Sequence, residues 1–374
     1  MPKLTWTVLN GATDITSRVL SMNITQGREK YLDNYSGGTC TFTINNSGDY
    51  ASGITYGNVI QVSTNATSDF LVSFWVQQVV FDDHPGNTGL NTATITAVDW
   101  ISRSGRVFAN NLILNETSCG NQMALFTASA FGPLPSDMPV SVTGGGGSRA
   151  AATTYTGSVN NYLNLLTATE RGYVTVRGIF LYFIDRQGIA SVGPIATTIG
   201  RTTSATQIAY ETFERIQNGT QFINTATVSP NGLASQTSVN SSSVTAYGPA
   251  SYSSSTVDYN TTQALGNAGW IANNFSDPSA IRFKCGFSDR SQNATALSNW
   301  MSQCWGITNY VATLNYQVPG GSPTSTNVLM EGWSINITPE QTRFELSYSP
   351  LQYYQFFTLN STTLGILDTS RLGW

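Results

Sequence analysis

Charge is what this sequence has least of. Asp, Glu, Lys and Arg make up 10% of its 374 residues, where an ordinary soluble domain carries about a quarter. With 17 basic against 21 acidic residues and a formal net charge of −4, composition offers no basic surface for gripping phosphates, and no specific nucleic-acid binding is expected. Histidine is nearly missing. His84 is the only one, so a Ser-His-Asp triad would have to be built on it, and no Gly-x-Ser-x-Gly elbow accompanies it. Asp82-Asp83-His84-Pro85-Gly86-Asn87 reads instead as a solvated hairpin loop. Cysteine is scarce: Cys40, Cys119, Cys285 and Cys304 contain no CxxC pair, so no zinc site is expected. They read as buried free thiols, although Cys285 and Cys304 are close enough in sequence to be neighbours. No apolar run of about 18 residues exists, so no membrane anchor is expected, and the opening Met-Pro-Lys-Leu-Thr-Trp lacks a signal-peptide pattern. Gly144 to Gly147 is followed by Ser148-Arg149 rather than Gly-Lys-Ser/Thr. It is a loop tip or linker and not a phosphate loop, and no cofactor is expected.

Hydroxyl and amide side chains take the place of charge, beside 40% hydrophobic and 11% aromatic residues. That mixture suits pleated sheets and broad contact with other subunits. The length predicts about two to four domains. Residues 1–108 form a first β-domain: Trp6–Leu9, Val19–Ile24, Cys40–Ile44, Val59–Ser63, Phe70–Phe81 and Asn91–Trp100 alternate as half-buried strands. Ala93, Ile95, Ala97 and Asp99 share one face. Residues 109–205 form a small α/β insert. One helix is expected over Ser118–Phe131. A second runs over Ser158–Glu170, with Ser158 as its N-cap and Gly172 ending it. The strands Tyr173–Arg177 and Phe180–Asp185 follow. Residues 206–350 form a second β-domain with strands at Phe222–Val228, Ala280–Phe287, Asn309–Tyr316, Asn327–Ile337 and Phe344–Tyr348. The segment through Ser241-Ser242-Ser243 reads as a polar loop. A helix from Asp258 to about Phe275 carries Ala264, Leu265, Ala268, Ile271, Ala272 and Phe275 as one stripe. Residues 351–374 complete the chain as an interface segment. The fold class is mainly β (α+β), with two β-barrel or sandwich domains flanking the insert.

The remaining chemistry lies in carboxylate pairs, the minimum a glycosidase needs. Candidates are Asp82 with Asp83, Glu211 with Glu214, and Glu331 with Glu345. Glu211 and Glu214 sit three apart beside Arg215, the spacing of an ion-paired helical face. Asp368 and Arg371 read as a turn clasp. None of these is expected to be catalytic, and the chain is not expected to be an enzyme. Trp6, Trp75, Trp100 and Trp333 fall inside strand patterns and fill cores. Tyr353, Tyr354, Phe356 and Phe357 do not fit one core, because neighbouring strand residues face opposite ways. They are expected to be an interface, covered on one side by a partner subunit.

Three groups of motifs occur in a fixed order. Asp14-Ile15-Thr16-Ser17-Arg18-Val19, Gly27-Arg28 and Gly37-Gly38-Thr39-Cys40 open the chain. Leu163–Glu170, Arg171-Gly172-Tyr173 and Phe180–Arg186 lie in the insert. Asn224–Val228, Ser243–Gly248, Asp277-Pro278, Glu331-Gly332-Trp333, Tyr348-Ser349-Pro350 and Leu364–Trp374 close it. Together they resemble the tail hub, or minor tail protein, of long-tailed bacteriophages over nearly the whole length. The resemblance implies a structural virion protein without cofactor, made in the infected bacterium and built into the tail. It implies a homotrimer in which three subunits, each with two domains shaped like the tail-tube protein, form a pseudo-sixfold ring. Such a ring adapts a sixfold tube to a threefold tip. The implied partners are the distal tail or tail-tube protein, the tape-measure protein's C-terminus, and tip or fibre proteins. The alternative is a phage adhesin whose aromatic side chains bind cell-surface glycan.

Overall fold

The first seven strands are β1 (Trp6–Asn10), β2 (Thr13–Asp14), β3 (Val19–Gly27), β4 (Ser36–Asn45), β5 (Val59–Thr64), β6 (Ser73–Asp82) and β7 (Thr92–Val98), and alternation of buried and wetter side chains runs through β4, β5 and β7. All seven pair antiparallel in the order β3-β4-β7-β6-β5-β1-β2 in a computed structural model. The structure describes residues 4–66, 73–125, 139–143, 147–186, 188, 193–217, 222–279, 281–304 and 310–351. The interface expected at Tyr353, Tyr354, Phe356 and Phe357, the Asp368–Arg371 clasp and the Leu364–Trp374 motif lie outside the described residues.

In β7 the inward set Ala93, Ile95 and Ala97 is fully buried, with half-buried threonines between, as a period of two requires. Asp99 continues that set and then ends the strand by capping α1 (Trp100–Ser104), its Oδ1 accepting the Ser102 N–H at 3.1 Å. Trp100 is therefore buried from the first turn of a helix rather than from a strand. The β6–β7 hairpin runs past the end of β5, which meets only Ser73–Trp75, and exposes Val80, Phe81 and Leu90 near its tip.

The insert contains β8 (Phe108–Leu114), β9 (Thr117–Ser118), α2 (Cys119–Leu125), β10 (Val140–Thr143), β11 (Arg149–Ala150), β12 (Thr153–Ser158), α3 (Val159–Glu170), β13 (Tyr173–Arg177) and β14 (Phe180–Ile184). β10, β14 and β13 form one small sheet, while β8–β12 and β9–β11 are two-stranded ribbons. The helix expected over Ser118–Phe131 is described only as far as Leu125. α3 starts as its sequence requires: Ser158 Oγ accepts the Asn161 N–H at 3.3 Å. It ends at Glu170, as expected, but with Arg171 and not Gly172 in the left-handed region at φ 55°. Gly172 is required for space instead, since a Cβ there would lie 2.4 Å from the Ile184 carbonyl oxygen.

The remainder comprises β15 (Thr198–Gly200), β16 (Gln207–Ala209), β17 (Thr212–Gln217), β18 (Thr225–Pro230), β19 (Gln236–Val239), α4 (Ser241–Tyr247), β20 (Ser251–Thr256), α5 (Thr261–Asn274), β21 (Ile281–Ser288), α6 (Ala294–Cys304), β22 (Val311–Gln317), β23 (Pro323–Ile337) and β24 (Thr342–Pro350). Three expectations fail here. Ser241–Tyr247 is a helix rather than a polar loop, because Asn240 caps it through the Ser243 N–H at 3.0 Å. Glu211 and Glu214 border or occupy a strand paired with β21, so they do not share a helical face. On α5, Ala264, Ala268, Ile271, Ala272 and Phe275 are buried, but Leu265 is 46% exposed. α6 was not anticipated at all.

β23 carries the architecture. Over its first half it pairs with β22, from Pro323 to Leu329. Over its second half, from Gly332 to Ile337, the same edge pairs with β3. Its other edge pairs with β24, with a bulge between Met330 and Gly332. Through this strand the first and last β-rich regions share one 14-stranded sheet, whose main path ends at β2 and β16 without closing on itself among the described residues. β19, β18 and β20 make a separate sheet under α5.

Candidate functional site

The bulge in β23 falls where that strand changes neighbours, and the sequence motifs converge on it. Gly27 and Gly332 face each other across the new pairing. A Cβ on Gly27, which has φ +98°, would lie 2.3 Å from the Glu331 oxygen, and one on Gly332 would lie 2.6 Å from the Arg28 oxygen. No residue with a side chain fits either place without moving backbone.

This close approach buries Glu331 beside Arg28. Arg28 Nε donates to Glu331 Oε2 at 2.7 Å, with the two side chains 4% and 0% exposed. The Arg28 N–H also donates to the Glu331 carbonyl at 3.0 Å. The guanidinium lies 4.9 to 5.3 Å from the ring centroids of Tyr31, Tyr35 and Tyr173, so an aromatic cage replaces its water. Tyr173 Oη donates to the Met330 carbonyl at 2.8 Å and lies 3.1 Å from that of Glu331. Tyr31 Oη donates to the Arg171 carbonyl at 3.1 Å, and Gln26 Nε2 to the Val176 carbonyl at 2.9 Å. Burial pushes the phenols of Tyr31 and Tyr173 far up, so both remain neutral donors. One buried junction thus ties together the first β-region, the insert and the last β-region.

A second polar cluster backs the first. Glu170 Oε2 accepts the Ser148 N–H at 2.7 Å, and its Oε1 is 3.8 Å from Arg186 Nε. Burial raises Glu170 to about 7, against the opposing charge of Arg186. Asp258 accepts from Thr256 Oγ1 at 2.6 Å, Gln263 Nε2 at 2.6 Å and Asn267 Nδ2 at 2.8 Å. Val257 N–H donates to Thr169 Oγ1 at 2.8 Å, which joins α3 to β20.

The sequence-derived chemical candidates do not assemble. His84 is exposed on the β6–β7 tip, 3.7 Å from Asp82. Glu211 is held by Ser288 and Ser291; burial opposes its ionisation, but those hydrogen bonds keep its carboxyl below the ordinary range. Glu331 is sealed against Arg28, while Glu345 stands exposed beside Arg343 at 3.6 Å. Cys40, Cys119 and Cys285 are buried free thiols. Among the described residues no group of three or more His, Cys, Asp or Glu is placed to hold a metal ion, and no helix is long and apolar enough to cross a membrane. The expected tryptophans Trp6, Trp75, Trp100 and Trp333 are all buried. Sequence reasoning found Gly27-Arg28, Gly172-Tyr173, Asp185-Arg186 and Glu331-Gly332 as motifs. It missed Tyr31 and Tyr35, whose only signal was their nearness to those motifs.

A mainly β chain folded back on a central strand, with an α/β insert locked in by buried ion pairs, has the architecture of phage tail proteins. The tail protein from Neisseria meningitidis MC58 superposes with a TM-score of 0.65 over 93% of this chain and 97% of its own, at 11% identity. The prophage MuSo2 43 kDa tail protein from Shewanella oneidensis gives 0.62 over 94% and 98%, at 12% identity. Prophage tail protein gp18 from Listeria monocytogenes EGD-e gives 0.51 over 91% and 94%, at 10% identity. No family model and no curated protein matches the sequence. At these identities the likeness is one of fold.

Proposed function

We propose that this chain is a structural protein of a phage tail, the hub subunit at the distal end of the tail tube. One observation carries the reading: the fold matches phage tail proteins across more than nine-tenths of both chains. The internal organisation agrees with it. Two β-rich regions share one strand and are fixed to each other by ion pairs sealed from water, which suits a subunit that transmits load and performs no chemistry. In this reading three copies, each presenting two tube-like domains (1–108 and 206–350) around the insert 109–205, form a ring that continues a sixfold tube into a threefold tip. Residues 351–374, and within them Tyr353, Tyr354, Phe356 and Phe357, cover a neighbouring subunit. The distal tail or tube protein lies above the ring, the tape-measure protein's C-terminus inside it, and tip or fibre proteins below.

The test is the position of the chain in intact particles by electron microscopy. Three copies in a ring at the distal end of the tube are expected. Copies hanging at the periphery as fibres would overturn the hub reading in favour of a glycan-binding adhesin.

A further inference from the structure

β20 is an edge strand with one half of its edge closed and the other half open. In its parallel pairing with β18, Thr256 accepts the Asn231 N–H and Ala250 accepts the Thr225 N–H. A parallel ladder uses alternate residues, so Tyr252, Ser254 and Thr256 point their peptide groups at β18, while Ser251, Ser253 and Ser255 point theirs away. The next residue on that outward side, Val257, is satisfied at both groups: its N–H by Thr169 Oγ1 at 2.8 Å and its carbonyl by the Ala151 N–H at 2.8 Å. Among the described residues the outward N–H groups of Ser253 and Ser255 and the Ser253 carbonyl have no such partner, while the Ser255 carbonyl accepts only from the neighbouring Ser254 Oγ at 3.4 Å.

They border a groove of about 510 Å³ between β20, the outer side of α3 (Asn164, Thr167, Ala168) and the loop from Tyr31 to Tyr35. Arg171 lines it as well. That arginine is 5% exposed, and its Nε and Nη2 have no hydrogen-bond partner. The charge of Asp258 acts on Arg171, but the hydrogen bonds of that carboxylate go to Thr256, Gln263 and Asn267. Asp33, at the rim, is 3.8 Å from Lys30. Arg28 is matched by Glu331. A strand edge with free N–H donors, beside a buried guanidinium whose Nε and Nη2 lack an acceptor, fits one kind of ligand.

We propose that this groove takes an extended acidic peptide of another protein, added as a strand to the edge of β20, with a carboxylate side chain set on Arg171. Main-chain bonds to Ser253 and Ser255 supply register, and the carboxylate supplies selectivity. The inference is independent of where the chain sits in a particle.

The purified full chain is titrated with a labelled heptapeptide, Thr-Val-Thr-Glu-Thr-Val-Thr, followed by fluorescence anisotropy. Saturable binding is expected, and replacing the peptide's Glu by Gln, or Arg171→Gln in the protein, weakens it by at least about tenfold. Ser253→Pro with Ser255→Pro removes the two outward N–H groups and leaves the ladder to β18 intact; binding is expected to vanish. Asn164→Trp, which fills the groove from α3, gives the same result independently if the proline variant does not fold. No binding to the wild-type chain up to about 1 mM, or equal binding to the wild type and the folded variants, overturns the proposal.

Discussion

Arg28 and Glu331 are 303 residues apart in sequence and 2.7 Å apart in the fold. Neither is a charge that water can rescue, so removing one leaves the other uncompensated. Glu331→Gln or Arg28→Met is expected to cost about 3–5 kcal/mol, measured as a shift in urea denaturation. The double variant Arg28→Met with Glu331→Leu is expected to recover much of that loss. Losses that simply add would mean the two charges do not depend on each other. Asp99 tests burial in the opposite sense. Its Oδ2 has no hydrogen-bond partner, and burial raises its carboxyl to about 7, from an ordinary value of 3.8. The folded chain then holds a proton that the unfolded chain has lost. Stability from this group is present at low pH and falls as pH rises from about 4 through 7. Asp99→Asn keeps the Oδ1 cap and is expected to flatten the denaturation midpoint over that range, leaving the share contributed by Glu170. An unchanged profile would show that Asp99 is ionised in the fold. Both residues stood out in the sequence, Asp99 as the polar member of an apolar face and Glu331 inside a motif. Tyr31 and Tyr35 did not, because they reach the Arg28–Glu331 pair only through tertiary contact.

Elements were legible wherever one face is buried and the other wet. β7 and α3 follow their periodicities, and Ser158 caps where its side chain says it should. Ser158→Ala is expected to cost about 1 kcal/mol of stability, read by thermal denaturation. Elements failed to show themselves where local signals compete. Ser241-Ser242-Ser243 looks like loop, yet Asn240 and packing turn it into helix. Glu211 and Glu214 carry helix-like spacing, yet Phe213 and Ile216 lie in a strand laid against β21. Least visible was the exchange of partners along β23. The pairing of Gly332 with Gly27 depends on two glycines more than three hundred residues apart. Gly332→Ala drives a methyl group into the Arg28 backbone and should part β3 from β23. The expected result is a loss of at least about 2 kcal/mol and separate unfolding of the first β-region, seen as two transitions in calorimetry. A single transition at the wild-type temperature would mean that this pairing does not hold the regions together.

At the scale of the whole molecule, low charge becomes an assembly property. A chain with few charges has little electrostatic repulsion between copies and must choose its contacts by shape and apolar surface. The proposed contact is Tyr353, Tyr354, Phe356 and Phe357, whose alternation puts aromatic rings on both faces of any extended segment. One face can be served by the subunit's own core; the other needs a neighbour. Burying a Phe side chain is worth about 1.5–3 kcal/mol. Replacing Phe356 and Phe357 by Ser in every subunit should therefore raise the ring's dissociation constant by at least about a hundredfold. The junction around Arg28 and Glu331 consists of other residues, so the monomer should keep its wild-type circular dichroism and melting temperature. Sedimentation velocity distinguishes the cases. A folded monomer at concentrations where the wild type assembles into the proposed trimer is the expected result. Trimers of unchanged stability would remove these residues from the interface, and an unfolded monomer would assign both rings to the subunit's own core.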